Sequence, residues 1–244
     1  YVGAFVCMLF ILGLFIVKGP MKWALLAATI LSILLAWGRN FMPFTNFFLD
    51  YVPMYAKFRT VASILVIAEF TIPLLAMMAL KKIVDEPEIL TEKIKYVYAS
   101  LGLTAGFCLL FAIMPGVFFP DFVSVQETQA LQQLPQEYIS PIMSNLTDIR
   151  KGIFTSDCWR SFWIILIGSA LLMLFKMKKL GKEYMIAGIA VLCLVDRWMV
   201  NKRYLYDDMF VDKAQRDTPQ QMTETDKIIC RDKELDYRVL NLAS

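Results

Sequence analysis

Six long apolar runs, separated by short lysine-rich or polar connectors, constrain this chain more than any other feature. The runs cover residues 2–17, 23–37, 61–80, 94–114, 162–175 and 184–200. A helix of about 20 residues, rising about 1.5 Å per residue, crosses a hydrocarbon core of about 30 Å. Helices of soluble proteins are apolar along one stripe, whereas these runs are apolar around most of their circumference. The pattern predicts an all-α polytopic membrane protein with six transmembrane helices in residues 1–200.

The lysines indicate how the runs are oriented. They are concentrated in three connectors that lie on one side if every run spans: Lys18 and Lys22; Lys81, Lys82, Lys93 and Lys95; and Lys176, Lys178, Lys179 and Lys182. Lys and Arg near span ends mark the cytoplasmic side. We therefore expect the two longer connectors and the C-terminal tail to lie outside the cytoplasm.

The two longer connectors favour interfacial structure. Residues 38–60 are rich in aromatic side chains, which prefer headgroup level. In residues 115–159, apolar positions at helical spacing predict short amphipathic helices near 122–134 and 138–149, lying on the outer leaflet. Ser156 and Asp157 then resemble a cap at the start of the fifth span.

The end of the chain differs from the apolar part. Residues 201–235 read as a charged extracytoplasmic linker with a short helix near 224–231. Residues 236–244 alternate like the first strand of a β-containing soluble domain. Because a lone strand cannot bury its face, we expect the chain to be a fragment of a longer protein.

Histidine is absent, which removes the commonest general base and transition-metal ligand. The five cysteines are scattered without a C-x-x-C spacing, so no metal site is predicted. A disulfide between Cys158 and Cys230 and two unpaired thiols both remain open, and the scattered spacing favours the thiols. No feature of the chain points to a nucleic-acid partner.

The stretch Tyr51-Val-Pro-Met-Tyr-Ala-Lys57-Phe-Arg59 brings two cations and several rings to the start of the third span. Arg binds phosphate through a planar fork, and Lys adds a point charge. At a membrane surface the matching partner is a lipid phosphate or pyrophosphate. The alternative, which interfacial Lys and Arg commonly satisfy, is that Lys57 and Arg59 only anchor the helix end.

Several carboxylates are further candidates. Glu69 lies near the middle of the third span, where an ionised side chain is costly, so it either contacts substrate or an Arg, or packs as a protonated carboxyl. Asp50 and Asp121 are alternative general bases, although carboxylates in loops usually serve turns. An outer-face group of structural ion pairs is expected from Arg150, Asp157 and Arg160, and a similar pair from Asp196 and Arg197.

Four stretches of the chain together resemble the YfhO family of bacterial membrane proteins, of the Bacteroidetes type. They are Phe48-Leu-Asp-Tyr-Val-Pro-Met-Tyr-Ala-Lys-Phe-Arg-Thr-Val-Ala-Ser63, Arg150-Lys-Gly-Ile-Phe-Thr-Ser-Asp-Cys-Trp-Arg-Ser161, and the tail segments Leu205-Tyr-Asp-Asp208 and Asp236-Tyr-Arg-Val-Leu-Asn-Leu242. Many members have a proline shortly after the Phe-Arg pair, where this chain has Val61 and Ala62.

The resemblance implies a relative of the GT-C glycosyltransferases in the bacterial inner membrane. Such enzymes take a sugar from a polyprenyl-phosphate carrier, the donor substrate, and transfer it to a cell-envelope polymer. Their catalytic carboxylate usually lies in a first outer loop, which has no counterpart here, so no catalytic residue is carried over and this chain alone is expected to be inactive. Membrane lipids and the lipid-linked sugar are the expected partners.

Two other classes of function stay open. A lipid or polysaccharide transporter or flippase requires polar residues along a path through several spans, and Glu69 is the clearest mid-span charge in the sequence. A non-catalytic envelope scaffold requires only a stable bundle and predicts that changes at Lys57, Arg59 and Glu69 affect nothing but stability.

Overall fold

The computed structural model describes residues 1–57, 60–132, 135–210 and 224–231. Two compact units divide the chain, Tyr1–Val200 and Asn201–Ser244. All regular structure in the described residues is helical. The α-helices are α1 Ala4–Ile16, α2 Met21–Ala36, α3 Met42–Tyr51, α4 Leu65–Asp85, α5 Ile89–Glu92, α6 Ile94–Leu101, α7 Phe107–Ile113, α8 Pro115–Phe118, α9 Val125–Leu131, α10 Gln136–Lys176, α11 Lys182–Tyr204 and α12 Glu224–Ile229.

Three helical stretches of the described chain are long and apolar enough to cross a membrane: Ala62–Asp85, Ile94–Ile113 and Glu137–Lys176. A fourth is added if the pair Met21–Ala36 and Gly38–Tyr51, bent by 103°, forms one broken span. The chain is therefore a helical protein of membrane type with three or four candidate spans. The larger number of six remains a prediction, and the first run forms only the shorter apolar helix Ala4–Ile16.

The fifth predicted span is part of a much longer helix. α10 runs for 41 residues without a break, so the amphipathic segment predicted near 138–149 belongs to the same continuous helix as the predicted span. The predicted cap at Ser156 and Asp157 is wrong, because both residues lie inside α10. Pro135 supplies the N-cap position, and Pro141 is tolerated in the second turn, where few backbone bonds are lost.

The core of the first unit forms where α1 packs against α4, α6 and α10, and where α2 packs against α4. Gly13 of α1 lies so close to α4 that an added Cβ would be 3.0 Å from Leu75, and Ala76 and Ala79 continue this small-residue contact. Close approach through small residues is how membrane helices gain packing contacts. A buried hydroxyl pair, Thr29 and Thr71 at 2.7 Å, joins α2 to α4.

Two local irregularities interrupt the spans. Pro73 lies inside α4 and has no N–H to donate to the carbonyl of Glu69, four residues earlier. The span of α6 and α7 contains a π-helical segment, Gly102–Gly106. Such breaks in membrane helices leave backbone groups available for other partners and often mark functional positions.

The second unit is described at residues 201–210 and 224–231. It contains the last turn of α11, a 3₁₀ turn at Asp207–Met209 and the short helix α12. Lys202 bonds to Asp207 at 2.7 Å, and Lys227 to Glu224 at 2.7 Å. The predicted strand at 236–244 lies outside the described residues.

Candidate functional site

The three lysine-rich connectors meet at one end of the first unit. A cavity of about 380 Å³ is lined by Lys18, Lys82 and Lys93, and a second of about 420 Å³ by lysines of the connector between α10 and α11. Pro87 and Glu88 line both cavities. We call this the lysine-rich end, and the opposite end holds the start of α1, the bend after α2 and the start of α4.

Residues 51–57 lie at the opposite end, after the bent helix pair. The N–H of Tyr55 donates to the carbonyl of Val52 at 3.3 Å, and Met54 has φ 67°. Because Pro53 cannot adopt a positive φ at the first central position, this is a type II turn. Glycine is usual where Met54 stands, so the turn holds a strained residue, and such strain is common at functional sites.

The predicted lipid-phosphate residues are only partly brought together. Tyr51 is 75% exposed and Lys57 is exposed, and no described residue forms a hydrogen bond or ion pair with the side chain of either. The rings of Phe47 and Tyr51 lie 5.2 Å apart in an aromatic cluster along α3. Arg59 lies outside the described residues.

Glu69 is not packed between helices, which was one of the two forms expected from the sequence; its contact with a substrate stays a prediction. Its side chain is 56% exposed, and its Oε1 lies 2.9 Å from the backbone nitrogen of Tyr1. It lies in the second turn of α4, near the end opposite the lysine-rich end. Its own backbone carbonyl is the one that Pro73 leaves without a helical N–H donor. An exposed carboxylate at this depth is accessible to a ligand or lipid headgroup beside the bundle.

The charge that is fully buried in the bundle is Asp196 of α11, which is 1% exposed. Its carboxylate accepts from the Tyr1 hydroxyl at 2.9 Å and from the Ala4 N–H at 2.8 Å. Arg160 of α10 approaches with Nε at 3.7 Å, and its guanidinium lies 5.7 Å from the Tyr1 ring centroid. Asp196 therefore ties the start of α1 to α10 and α11.

The ion pairs expected among Arg150, Asp157 and Arg160 form two separate groups. Arg160 lies 3.3 Å from Asp157 and also faces Asp196, as described above. Arg150 lies elsewhere and binds Glu127 in two-point fashion, at 2.6 and 2.9 Å, while also donating to the carbonyl of Phe122. These bonds, with those from Ser124, lower the pKa of Glu127 to about 2.

Sequence reasoning gave Asp196 only a minor role as a partner of Arg197, because an Asp-Arg dipeptide near a span end resembles an interfacial pair. The signal for its burial was its register: Met185, Ile189 and Asp196 are spaced by four and seven residues and form the buried stripe of α11. Asp196 shares that stripe, whereas Arg197 is exposed and lies on another face.

The lysine-rich end and the Asp196 cluster are separated by most of a membrane thickness. Fourteen residues of α11 separate Lys182 from Asp196, which is about 21 Å at 1.5 Å per residue. Aromatic side chains are exposed near the level of Asp196, namely Trp159, Trp163 and Trp198. Exposed tryptophans at this depth are typical of the membrane–water interface.

Comparisons with known proteins give no relative: no family model, no curated protein and no solved structure matches the chain. No group of three or more His, Cys, Asp or Glu in the described part of the chain could hold a metal ion. The five cysteines, including Cys158 and Cys230, are free thiols.

Proposed function

We propose that the chain is part of a cell-envelope glycosyltransferase that uses a polyprenyl-phosphate-linked sugar at the outer leaflet. The observation that carries this proposal is the position of residues 51–57. They follow a 103° bend, opposite the lysine-rich end, and expose a cation beside an aromatic cluster. If the lysine-rich end is cytoplasmic, this segment faces the outer leaflet.

The chemistry of the segment suits a lipid carrier. The phosphate needs a cation that is not already neutralised, and the exposed side chain of Lys57 forms no ion pair with the described residues. The polyprenyl chain needs an apolar, ring-lined surface, which α3 provides through Phe44, Phe47 and Phe48. In this arrangement Lys57 and Arg59 hold the carrier phosphate and stabilise its charge as the sugar leaves.

The test is sugar transfer by the full-length protein in membranes supplied with a polyprenyl-phosphate sugar. A hydrogen bond to a charged group contributes about 1.5–3 kcal/mol, so Lys57→Gln should lower the rate about tenfold or more. Lys81→Gln is the matched control, because Lys81 is also exposed but lies in α4 near its other end. Equal rates for the two variants would contradict the assignment.

Arg59→Lys tests the geometry of the same site. It keeps the positive charge and removes the planar fork that binds phosphate at two points. Transfer should fall while the amount of folded protein in the membrane stays the same. Unchanged transfer would leave Arg59 as a membrane anchor only.

One observation favours the second candidate, a lipid or polysaccharide flippase. Asp196 is a fully buried carboxylate inside an apolar helix, and membrane proteins place such groups on substrate or proton pathways. The interruptions at Pro73 and Gly102–Gly106 are also features of transporter helices. A vesicle assay that measures lipid flipping without a sugar donor separates the two, since only the flippase moves lipid there.

A further inference from the structure

The cavity between α5 and the connector of α10 and α11 carries an uncompensated positive charge. Its volume is about 420 Å³, within the range of small-molecule sites. It is lined by Lys176, Lys178, Lys182, Glu88, Thr91 and Phe175, among others. No ion pair among the described residues engages any of the three lysines. Three cations therefore face one carboxylate.

The neighbouring cavity shows that this charge is not a general property of the lysine-rich end. There Lys18, Lys82 and Lys93 are outnumbered by four carboxylates, Asp85, Glu86, Glu88 and Glu92. Lys82 is also paired with Glu86 at 2.6 Å, and this bond lowers the pKa of Glu86. An anion is thus favoured in the cavity beside α11 and disfavoured in the adjacent one.

The backbone at the end of α10 holds Lys178 in a strained conformation. The N–H of Lys178 donates to the carbonyl of Phe175 at 2.9 Å, and that of Lys179 to Leu174 at 3.1 Å. This is the Schellman pattern, whose left-handed residue is usually glycine. Lys178 occupies that position with φ 57°. A lysine where the backbone favours glycine indicates that its side chain has a role.

The start of α11 adds a second contribution to anion binding in this cavity. Lys182 is the first residue of this 23-residue helix, and its first turn has backbone N–H groups without helical acceptors. These groups and the helix dipole favour an anion at the same place. The cavity thus combines three lysine side chains with the N-terminus of a 23-residue helix.

We propose that this cavity binds the phosphate of an anionic phospholipid headgroup, with Lys176, Lys178 and Lys182 as its cationic contacts. Lys176 is the last residue of the candidate span Glu137–Lys176, and Lys182 begins α11 six residues later, so the cavity lies at the end of a span, where headgroups are expected. Phe175 and Leu180 in its lining suit the start of the acyl chains. This site is independent of the proposed carrier site at the opposite end.

The test measures the thermal stability of the purified full chain in detergent against added phosphatidylglycerol or phosphatidylcholine. Phosphatidylglycerol should raise the melting temperature saturably, and phosphatidylcholine should not. Lys178→Gly should need about fivefold more phosphatidylglycerol for half of the effect, the loss expected for one lysine near a headgroup. Its melting temperature without lipid should not fall, since glycine fits the positive φ.

Two further variants keep the result interpretable. Lys182→Gln should weaken the response as Lys178→Gly does, without any change of backbone conformation. Lys81→Gln, at the same end but outside the cavity lining, should respond like the unaltered chain. The proposal is overturned if Lys178→Gly and Lys182→Gln keep the full response, or if Lys81→Gln loses as much.

A soluble ligand is distinguished in the same assay. Inorganic phosphate and glycerol phosphate carry the same anionic group without acyl chains. They should give little of the lipid effect at millimolar concentration. If either reproduces the full, lysine-dependent shift, the cavity is a site for soluble phosphate and the lipid assignment is wrong.

Discussion

Replacing Asp196 by Ala removes an acceptor that joins the start of α1 to α10 and α11. In the structure its carboxylate accepts from the Tyr1 hydroxyl and the Ala4 N–H and faces Arg160. The alanine leaves those donors in a site where the carboxylate was 1% exposed. The substitution therefore tests whether this cluster stabilises the bundle.

The expected loss of stability follows from the buried groups that the substitution leaves without a partner. A buried donor without an acceptor costs about 1–3 kcal/mol, and breaking a buried ion pair by removing one partner costs about 3–5 kcal/mol. These terms overlap, and Asp157 still lies 3.3 Å from Arg160, so part of the charge stays compensated. We expect Asp196→Ala to lower the free energy of unfolding by about 3–4 kcal/mol.

The assay is reversible unfolding by SDS in mixed micelles. Asp196→Asn keeps an acceptor for the Ala4 N–H and loses only the charge, so its cost should be intermediate. Glu183→Ala, at an exposed position in the first turn of the same helix, should cost less than about 1 kcal/mol. The reasoning is refuted if Asp196→Ala and Glu183→Ala differ by less than about 1 kcal/mol.

Two further predictions concern other parts of the bundle. Arg150 lowers the pKa of Glu127 to about 2, so the order that this bond gives to α9 should persist above about pH 4.3, the usual pKa of a Glu, and be lost as the pH falls toward 2. Hydrogen-exchange protection of α9 should follow that pH course, and Glu127→Gln should abolish the pH dependence. Gly168→Ala would place a Cβ 2.3 Å from the buried Phe5 ring and should lower the free energy of unfolding by about 1–3 kcal/mol. Gly152→Ala, in the same helix but facing open space, should raise it by up to about 1 kcal/mol, and equal melting temperatures for the two variants would contradict the packing of Gly168 against Phe5.

The positions of the apolar helices follow closely from local sequence. The predicted runs at 61–80 and 94–114 correspond to the helical stretches Ala62–Asp85 and Ile94–Ile113, because apolar periodicity is a property of the segment itself. The 103° bend after α2 does not follow from it. Gly38, with φ 47°, permits a sharp change of direction, but tertiary packing sets the angle.

Helix ends were harder to predict, because a cap sequence acts only in a suitable conformation of the surrounding chain. Ser156-Asp157 has the residue types of a cap, yet α10 passes through it, since the residues on both sides are helical and nothing there breaks the backbone. A cap sequence starts a helix only where the preceding residues leave the helical conformation. Here the helix already begins after Pro135, its N-cap residue, so Ser156-Asp157 has no helix to start.

The candidate sites likewise divide into features that local sequence predicts and features that depend on tertiary packing. Residues 51–57 could be selected from composition, because cations beside rings at a span end are a local pattern. Burial of Asp196 could not, because it depends on α1, α10 and α11 meeting at one level. A charged residue is buried when its face of the helix packs against a neighbouring helix, and the identity of the neighbouring helices could not be predicted from the sequence.

The most direct test of the account is the side of the membrane on which its two ends lie. In a cysteine-free background, Lys57→Cys and Lys178→Cys are treated in intact cells with a thiol reagent that does not cross the membrane. We expect labelling at position 57 and protection at position 178 until the cells are opened. Labelling of position 178 in intact cells, with position 57 protected, would place the proposed carrier site in the cytoplasm and contradict the account.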